Sequence, residues 1–314
     1  MAECGVLNPF ACYTVPAASW IGSTLQWLVG YARPYFLLIK QPIDTVLSLM
    51  ATALNATPPL ILIALAGALA WWAGGIRLML GTVAILLIIG FLGVWPEAMT
   101  TLAIVLAAVA ICLVIGIPLG ILAAKSDRLF AILRPILDGM QTIPAFVYLV
   151  PVVMLFGIGN VPGVIVTIIF AIPPVIRLTN LGIRQVPTEI VEAMVAFGAS
   201  PAQLLFKAQL PVARKTIMAG VNQTLMMALS MVVVASMIAV GGLGQVVLRG
   251  IGRLDMGIAT VGGIGIVLLA IALDRLTQAF AAPRLRPAAA RSTRGRRPFP
   301  MRRQLATLLK RSPG

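Results

Sequence analysis

Long apolar runs constrain this chain more than any other feature of its sequence. A helix needs about 17–25 predominantly apolar residues to cross the ~30 Å hydrocarbon core of a bilayer. Seven runs approach or reach that length: 58–73, 76–94, 98–124, 143–158, 161–178, 217–240 and 258–276. The sequence therefore predicts an all-α polytopic membrane protein with about seven transmembrane helices. The runs 58–73 and 143–158 are the shortest of them.

Composition excludes several function classes. Only 11% of the 314 residues are charged and 60% are hydrophobic, whereas soluble domains carry about 25% charged residues. There is no histidine, which removes Ser-His-Asp and Cys-His catalysis and histidine metal ligands. The three cysteines form no Cys-x-x-Cys pair. We therefore expect a membrane protein that is neither an enzyme nor a metal-binding protein.

Lysine and arginine predict the orientation, because cytoplasmic loops carry an excess of them. With the C-terminus in the cytoplasm and seven spans, 20 of the 24 basic residues fall on the cytoplasmic side. The outer side then holds only Arg33, Lys40, Arg249 and Arg253. The N-terminus is predicted to lie outside.

The two ends of the chain differ from its middle. In the segment 1–57, predicted to be extracytoplasmic, an amphipathic helix has one apolar face, formed by Ile43, Val46, Leu47, Met50 and Leu54. It could lie on the outer membrane interface or pack on the membrane domain. The segment 281–314, a predicted cytoplasmic tail, has ten basic residues and no acid. Contact with anionic lipid is the favoured interpretation, ahead of a solvated tail or nucleic-acid binding.

The polar stretch 179–216, between the fifth and sixth runs, is predicted to be a cytoplasmic loop. A helix is expected to begin at Pro187-Thr188 and end near Gly198, because glycine favours helix C-termini. Ser200-Pro201 is expected to open a second helix over 202–209, which Pro211 ends. With apolar residues facing outward, this pair could dock on another protein. It could also be only a local helical hairpin.

This stretch resembles the "EAA" loop of ABC importer permeases. That pattern reads Glu-Ala-Ala, three residues, Gly, nine residues, Ile, one residue, Leu-Pro. The chain departs from it in having methionine for the second alanine and alanine for the isoleucine, both apolar. The residues at the pattern positions are Glu192, Ala193, Met194, Gly198, Ala208, Leu210 and Pro211. The resemblance implies that this loop couples the membrane domain to an ATPase.

Flanking segments resemble the ProW-type permeases of glycine betaine/proline osmoprotectant importers. They are 140–151, 156–163, 219–226 and 235–260, and the resemblance extends over about 42–278. It implies two transmembrane helices in 58–95 and a type I ABC permease domain in 98–277, in a bacterial inner membrane. It also implies a homodimer or paired permeases, an ATPase that binds ATP and Mg²⁺, and an extracytoplasmic substrate-binding protein. No sequence here matches a GxxxxGK[ST] phosphate loop, so the permease itself is expected to need no cofactor.

Polar residues at membrane depth tend to face a cavity or a bundle interior. Asn222, Ser230 and Ser236 in the sixth run are therefore candidates for the substrate path, although serines often bond back to their own helix. Gly241, Gly242 and Gly244 follow that run and are candidates for an outer gate that approaches a neighbouring helix closely. A plain flexible loop is the alternative.

Three functional alternatives stay open. Choline, carnitine or proline could replace glycine betaine as the substrate. An ion-coupled secondary transporter would need an acid deep in the spans, and the predicted spans have no convincing one at mid-depth. A membrane scaffold would leave the loop unexplained.

Overall fold

The computed structural model describes residues 16–281, and nearly all of them are helical. Predictions for the first 15 residues and for the basic tail beyond 281 concern residues outside this range. The helices are α1 (Ala17–Ala56), α2 (Pro59–Gly74), α3 (Ile76–Phe91), α4 (Trp95–Lys125), α5 (Asp127–Thr142), α6 (Leu149–Phe156), α7 (Asn160–Arg184), α8 (Thr188–Ala196), α9 (Pro201–Leu204), α10 (Leu210–Ala235), α11 (Leu243–Gly252) and α12 (Met256–Ala281). A 3₁₀ turn, Ala145–Tyr148, precedes α6, and a π-helical turn, Leu205–Gln209, joins α9 to α10.

Five helices among residues 16–281 are long and apolar enough to cross a bilayer. They are Arg33–Ala56 within α1, α4, α7, the run Pro201–Ile238 that contains α10, and α12. The apolar helices α2 and α3 have 16 residues each, which is just short of the about 17 residues that a transmembrane helix needs. The count therefore differs from seven, although the fold class is the predicted one.

The predicted span 143–158 is wrong, because this run forms a 3₁₀ turn of four residues and the eight-residue α6, which together are too short to cross the bilayer. The chain bends by 102° between α5 and the 3₁₀ turn that leads into α6. Ile143 has extended backbone (ψ 129°) directly before Pro144, because a residue before proline avoids helical conformation. Only α5 and α6 taken together would make a sixth span, as a broken helix.

The core lies where α4, α7 and α10 meet. Small side chains dominate the inner face of α4, where Ala103, Ala107 and Ala108 are fully buried. A Cβ added at Gly120 would lie 2.6 Å from the Cβ of Thr179 and 2.9 Å from the carbonyl oxygen of Ile176 on α7. Small residues four apart, such as Gly116 and Gly120, allow helices in a membrane to approach closely.

Interhelical hydrogen bonds define two ends of the bundle. At one end, Arg214 Nη2 donates to the carbonyl oxygen of Phe280 at 3.3 Å, which joins the start of α10 to the end of α12. At the other end, the N–H of Gly241 donates to Asn160 Oδ1 at 2.8 Å. We call the first the loop end, because residues 185–209 lie there, and the second the glycine end.

The amphipathic stretch of α1 packs on the membrane domain, which is one of the two alternatives left open by its sequence. Leu47 is buried in the core, with Ile43 and Met50 partly buried beside it. The ring of Phe36 meets the ring of Phe156 edge to face, with centroids 5.3 Å apart. Protein therefore covers part of the apolar face, centred on Leu47.

Candidate coupling site and substrate path

The first loop helix, α8, begins and ends where the sequence predicts. Pro187 precedes it, and Gly198 follows it with φ +77°. The N–H of Gly198 donates to the Val195 carbonyl at 2.9 Å, and that of Ala199 to the Met194 carbonyl at 3.0 Å. These two bonds form a Schellman motif, in which glycine supplies the left-handed conformation at no steric cost. The turn that follows α8 is therefore sharp and well defined.

The second loop helix starts as predicted but does not end as predicted. Ser200 Oγ accepts from the N–H of Gln203, and Gln203 Oε1 accepts from the N–H of Ser200, which completes a capping box. The expected stop at Pro211 is wrong, because the helical run continues to Ile238. In the π-helical turn, the N–H of Leu210 donates to the carbonyl of Leu205, five residues earlier. The regular hydrogen-bond pattern is thus already interrupted next to Pro211, so the helix tolerates a residue that has no N–H.

The prediction that the loop's apolar residues face outward holds for only part of them. Phe197, which is 92% exposed, forms the tip of the α8–α9 turn, and Phe206 on the π turn is also exposed. Leu205 and Ala208 instead face inward and are buried beside Ile183. The exposed apolar surface is therefore the tip around Phe197 and the outer side of the π turn.

Of the loop residues selected from the sequence, Glu192, Ala193 and Pro211 are exposed, Met194 and Leu210 are partly buried, and Ala208 is buried. Glu192 does not cap the start of α8. Within residues 16–281 its side chain forms no hydrogen bond or ion pair, and it lines a cavity of about 310 Å³ together with Arg184 and Gln209. A basic partner residue could therefore reach it, whereas Ala208 can act only through packing.

Arg184, which was not predicted from the sequence to be a site residue, connects several helices at the loop end. Its guanidinium forms an ion pair with Asp127 at 2.6 Å and donates to the Ala123 carbonyl at 2.9 Å. It also lies 5.5 Å from the ring centroid of Phe130, a cation–π distance. These contacts join the end of α7 to the end of α4 and the start of α5. Movement of the loop would thus be transmitted to three helices.

Asn222 is occupied by contacts inside the bundle. Its Nδ2 donates to Asp274 Oδ1 at 3.0 Å, and its Oδ1 accepts from the hydroxyl of Thr277 at 2.5 Å. Gln278 Nε2 donates to both oxygens of Asp274 at 2.8 Å. This cluster joins α10 to α12. Asp274 lies near the loop end of the predicted span 258–276 and not at its mid-depth.

The serine candidates bond back to their own helix. Ser230 Oγ donates to the Met226 carbonyl at 3.1 Å, and Ser236 Oγ donates to the Val232 carbonyl at 3.2 Å. Ser230 is exposed, whereas Ser236 is buried against Gly244 of α11. The structure does not bring Asn222, Ser230 and Ser236 together around one cavity, because they bond to separate partners.

Asn222→Ala is expected to lower the free energy of unfolding by about 1–3 kcal/mol, because Asp274 and Thr277 would lose a buried hydrogen-bond partner. Thermal unfolding of the purified protein in detergent would measure the change. Ser230→Ala is the matched control on the same helix, and its midpoint should stay near that of the wild type. Equal midpoints for the two variants would show that the α10–α12 cluster contributes no stability.

Of the candidate gate glycines, Gly241 and Gly242 lie against α4 and α7, and Gly244 lies against the end of α10. Gly242 has φ +106°, and a Cβ there would collide with Thr101 Oγ1. The same Thr101 oxygen accepts from the N–H of Leu243 at 2.8 Å. Ten-residue α11 then packs along α12, where a Cβ on Gly250 would lie 2.5 Å from the Ala259 nitrogen. The segment after α10 is therefore an ordered turn and helix.

Gly242→Ala is expected to lower the free energy of unfolding by about 2 kcal/mol or more, because strain at positive φ adds to the collision with Thr101. The thermal midpoint in detergent would report it. Gly263→Ala is the control, since a Cβ there meets no atom within 4 Å. If Gly242→Ala unfolds at the same temperature as the control, the close approach to Thr101 does not require glycine at position 242.

Comparison with known proteins places this arrangement in a family. The family model described as "Binding-protein-dependent transport system inner membrane component" matches residues 116–286, more than half of the chain. The glycine betaine/proline betaine permease ProW of Escherichia coli K12 is 60% identical over 274 residues, which cover 87% of this chain and 77% of that protein. The chain belongs to this family. It is a multi-pass inner-membrane permease subunit of an ABC importer, as the resemblance implied, and not an enzyme.

Further relatives agree with this assignment. The permease is 48% identical to the glycine betaine/carnitine permease GbuB of Listeria monocytogenes, with 85% of this chain and 96% of that protein covered. It is 45% identical to the glycine betaine permease OpuAB of Bacillus subtilis, with coverages of 84% and 94%. A structure of the inward-facing MetNI methionine ABC transporter superposes with a TM-score of 0.52 at 23% identity, covering 60% of the permease and 96% of that chain. This likeness supports the fold alone.

Family membership fixes the class of partners. A permease of a binding-protein-dependent system works with a substrate-binding protein and an ATPase.

Proposed function

We propose that this permease carries glycine betaine and related betaines through the inner membrane, driven by ATP that a partner ATPase binds with Mg²⁺ and hydrolyses. The observation that carries the proposal is that three permeases, 60%, 48% and 45% identical to this chain, are all named as glycine betaine permeases. Carnitine is a second candidate, because the 48% identical relative is also named for it. Choline and proline remain as weaker alternatives.

The α8–α9 turn is the proposed coupling element. An exposed phenylalanine at a rigid turn suits a cleft on the ATPase, since buried aromatic residues dominate protein interfaces. Glu192 is the proposed charged anchor at its side. The helical run Pro201–Ile238 leads from this turn through the membrane, so movement of the ATPase can tilt α10 directly and α7 through Arg184.

We propose the following orientation and assembly. We place the loop end in the cytoplasm and the glycine end outside, in agreement with the predicted charge distribution. As the sequence predicts, the N-terminus is proposed to lie outside. The basic tail is proposed to face the cytoplasmic lipid surface, and the substrate-binding protein to deliver its cargo at the glycine end. Two copies of the chain are proposed to form the translocation path. The segment with Gly241, Gly242 and Gly244 serves as its outer gate.

Weak substrate contact in the permease is part of the proposal. The acid Asp274 is already bonded to Asn222 and Gln278, so it has little capacity left to hold a quaternary ammonium group. Selection then falls to the binding protein, where aromatic side chains can hold such a cation.

Uptake of labelled glycine betaine into proteoliposomes with the complete importer tests the substrate. We expect a tenfold excess of proline betaine or carnitine to compete, and an equal excess of methionine to have no effect. Uptake that only methionine or another ordinary amino acid suppresses would contradict the proposed substrate, while leaving the ABC permease assignment intact.

A further inference from the structure

A pocket of about 560 Å³ lies between α3 and α12 at the loop end. Arg77 at the start of α3 and Arg275 near the end of α12 both line it. Within residues 16–281, neither guanidinium forms an ion pair or a hydrogen bond. Arg177 and Arg184 of α7, in contrast, are paired with acids. Both side chains are exposed, and two unpaired cations that face one pocket favour an anion there.

A buried hydroxyl also points to a ligand. Thr82 on α3 lines the same pocket and is 6% exposed, and its Oγ1 has no hydrogen-bond partner. A buried hydroxyl without a partner costs about 1–3 kcal/mol, so an acceptor or donor that enters the pocket would remove that cost. Asp274, the residue before Arg275, accepts hydrogen bonds from Asn222 and Gln278 and forms no ion pair with either arginine within residues 16–281.

The position of the pocket favours a lipid over a soluble anion. Trp72, two residues before the pocket-lining Gly74, is 63% exposed and lies 6.0 Å from the ring of Phe280 at the end of α12. Exposed tryptophans at helix ends mark the headgroup level of a bilayer. Apart from Gln278, the remaining wall is apolar and includes Leu78, Ile85 and Ile271.

A second cavity provides room for a hydrocarbon chain. It measures about 460 Å³, is lined mainly by leucines of α1 to α4 and α12, and shares Thr82 and Ala272 with the arginine pocket. An amphiphile could thus place its charged group at the arginines and an acyl chain among the leucines.

We propose that this groove binds one phospholipid whose anionic phosphodiester lies between Arg77 and Arg275 and whose acyl chain occupies the leucine-lined cavity. The site is separate from the basic tail beyond residue 281 and from the coupling turn. Each arginine near an anionic lipid surface contributes about fivefold to binding, so the pair contributes about thirtyfold.

Native mass spectrometry of the permease in detergent, titrated with phosphatidylglycerol, tests this site. The double variant Arg77→Gln/Arg275→Gln should bind phosphatidylglycerol about thirtyfold more weakly than the wild type. Thr82→Val should weaken binding by a smaller factor. The matched control removes two exposed cations at the same end of the bundle outside the pocket, Lys125→Gln with Arg128→Gln, and should bind nearly as the wild type does.

A second variant tests occupancy without removing charge. Gly81 lines the pocket on α3, and a Cβ there meets no atom within 4 Å, so Gly81→Leu should fold normally and fill the pocket. We expect it to lose phosphatidylglycerol as the arginine variant does. Undiminished lipid binding in both variants would overturn the proposal. So would displacement of the lipid by millimolar inorganic phosphate, which would assign the pocket to a free anion. If these variants lose the permease dimer but still bind lipid, the pocket is a contact with a second copy of the chain.

Discussion

Replacing Phe197 with aspartate is expected to reduce retention of the ATPase on the purified permease about thirtyfold, because a central aromatic anchor contributes about 2 kcal/mol or more to an interface. The side chain is 92% exposed in the permease alone, so its removal should leave the thermal midpoint unchanged. Co-purification of the tagged permease with its ATPase, followed by quantification of the bound ATPase, would measure the effect.

Phe91→Asp is the matched control for this experiment. It changes a phenylalanine that is 89% exposed, at the end of α3, which lies at the glycine end of the bundle. ATPase retention should be the same as in the wild type. If Phe197→Asp retains as much ATPase as Phe91→Asp, the α8–α9 turn is not the main contact, and the exposed side of the π turn would have to replace it.

Gly120→Leu is expected to lower the free energy of unfolding by about 3 kcal/mol, since overpacking a tight helix contact displaces backbone as well as side chains. A Cβ at this position already lies too close to Thr179 and to the carbonyl oxygen of Ile176. The midpoint of thermal unfolding in detergent, followed by size-exclusion chromatography of heated samples, would report the loss.

Gly263→Leu is the control for this prediction, because it adds the same side chain to a transmembrane helix at a position where a Cβ has open space. Its midpoint should remain near that of the wild type. Equal stability of the two leucine variants would mean that α4 and α7 are not held at the distance that Gly120 permits.

Local signals in the sequence were sufficient to predict much of the loop. Pro187-Thr188, Gly198 and Ser200-Pro201 are start and stop signals that act within a few residues, and α8 and α9 begin at these signals. The apolar runs predicted membrane helices for the same reason, because hydrophobic length is a local property. The face of each loop helix was harder to predict. Leu205 turns inward only because Ile183 and Ala213 of other helices cover it.

Features that depend on packing between distant parts of the chain could not be predicted from the sequence. The chain bends at Pro144, between α5 and the fourth apolar run, and hydropathy alone does not reveal such a bend. The π turn that accommodates Pro211 depends on how α10 packs. Asp274 did not look like a partner of Asn222, because 52 residues separate them and only the packing of α12 on α10 brings them together.

The most direct measurement is uptake of labelled glycine betaine into proteoliposomes that contain the permease, its ATPase and its binding protein. With ATP inside the vesicles and no ion gradient, the wild type should accumulate betaine. The Phe197→Asp variant should not, although it folds. Uptake that proceeds without ATP and follows a sodium or proton gradient would contradict the account and indicate an ion-coupled transporter instead.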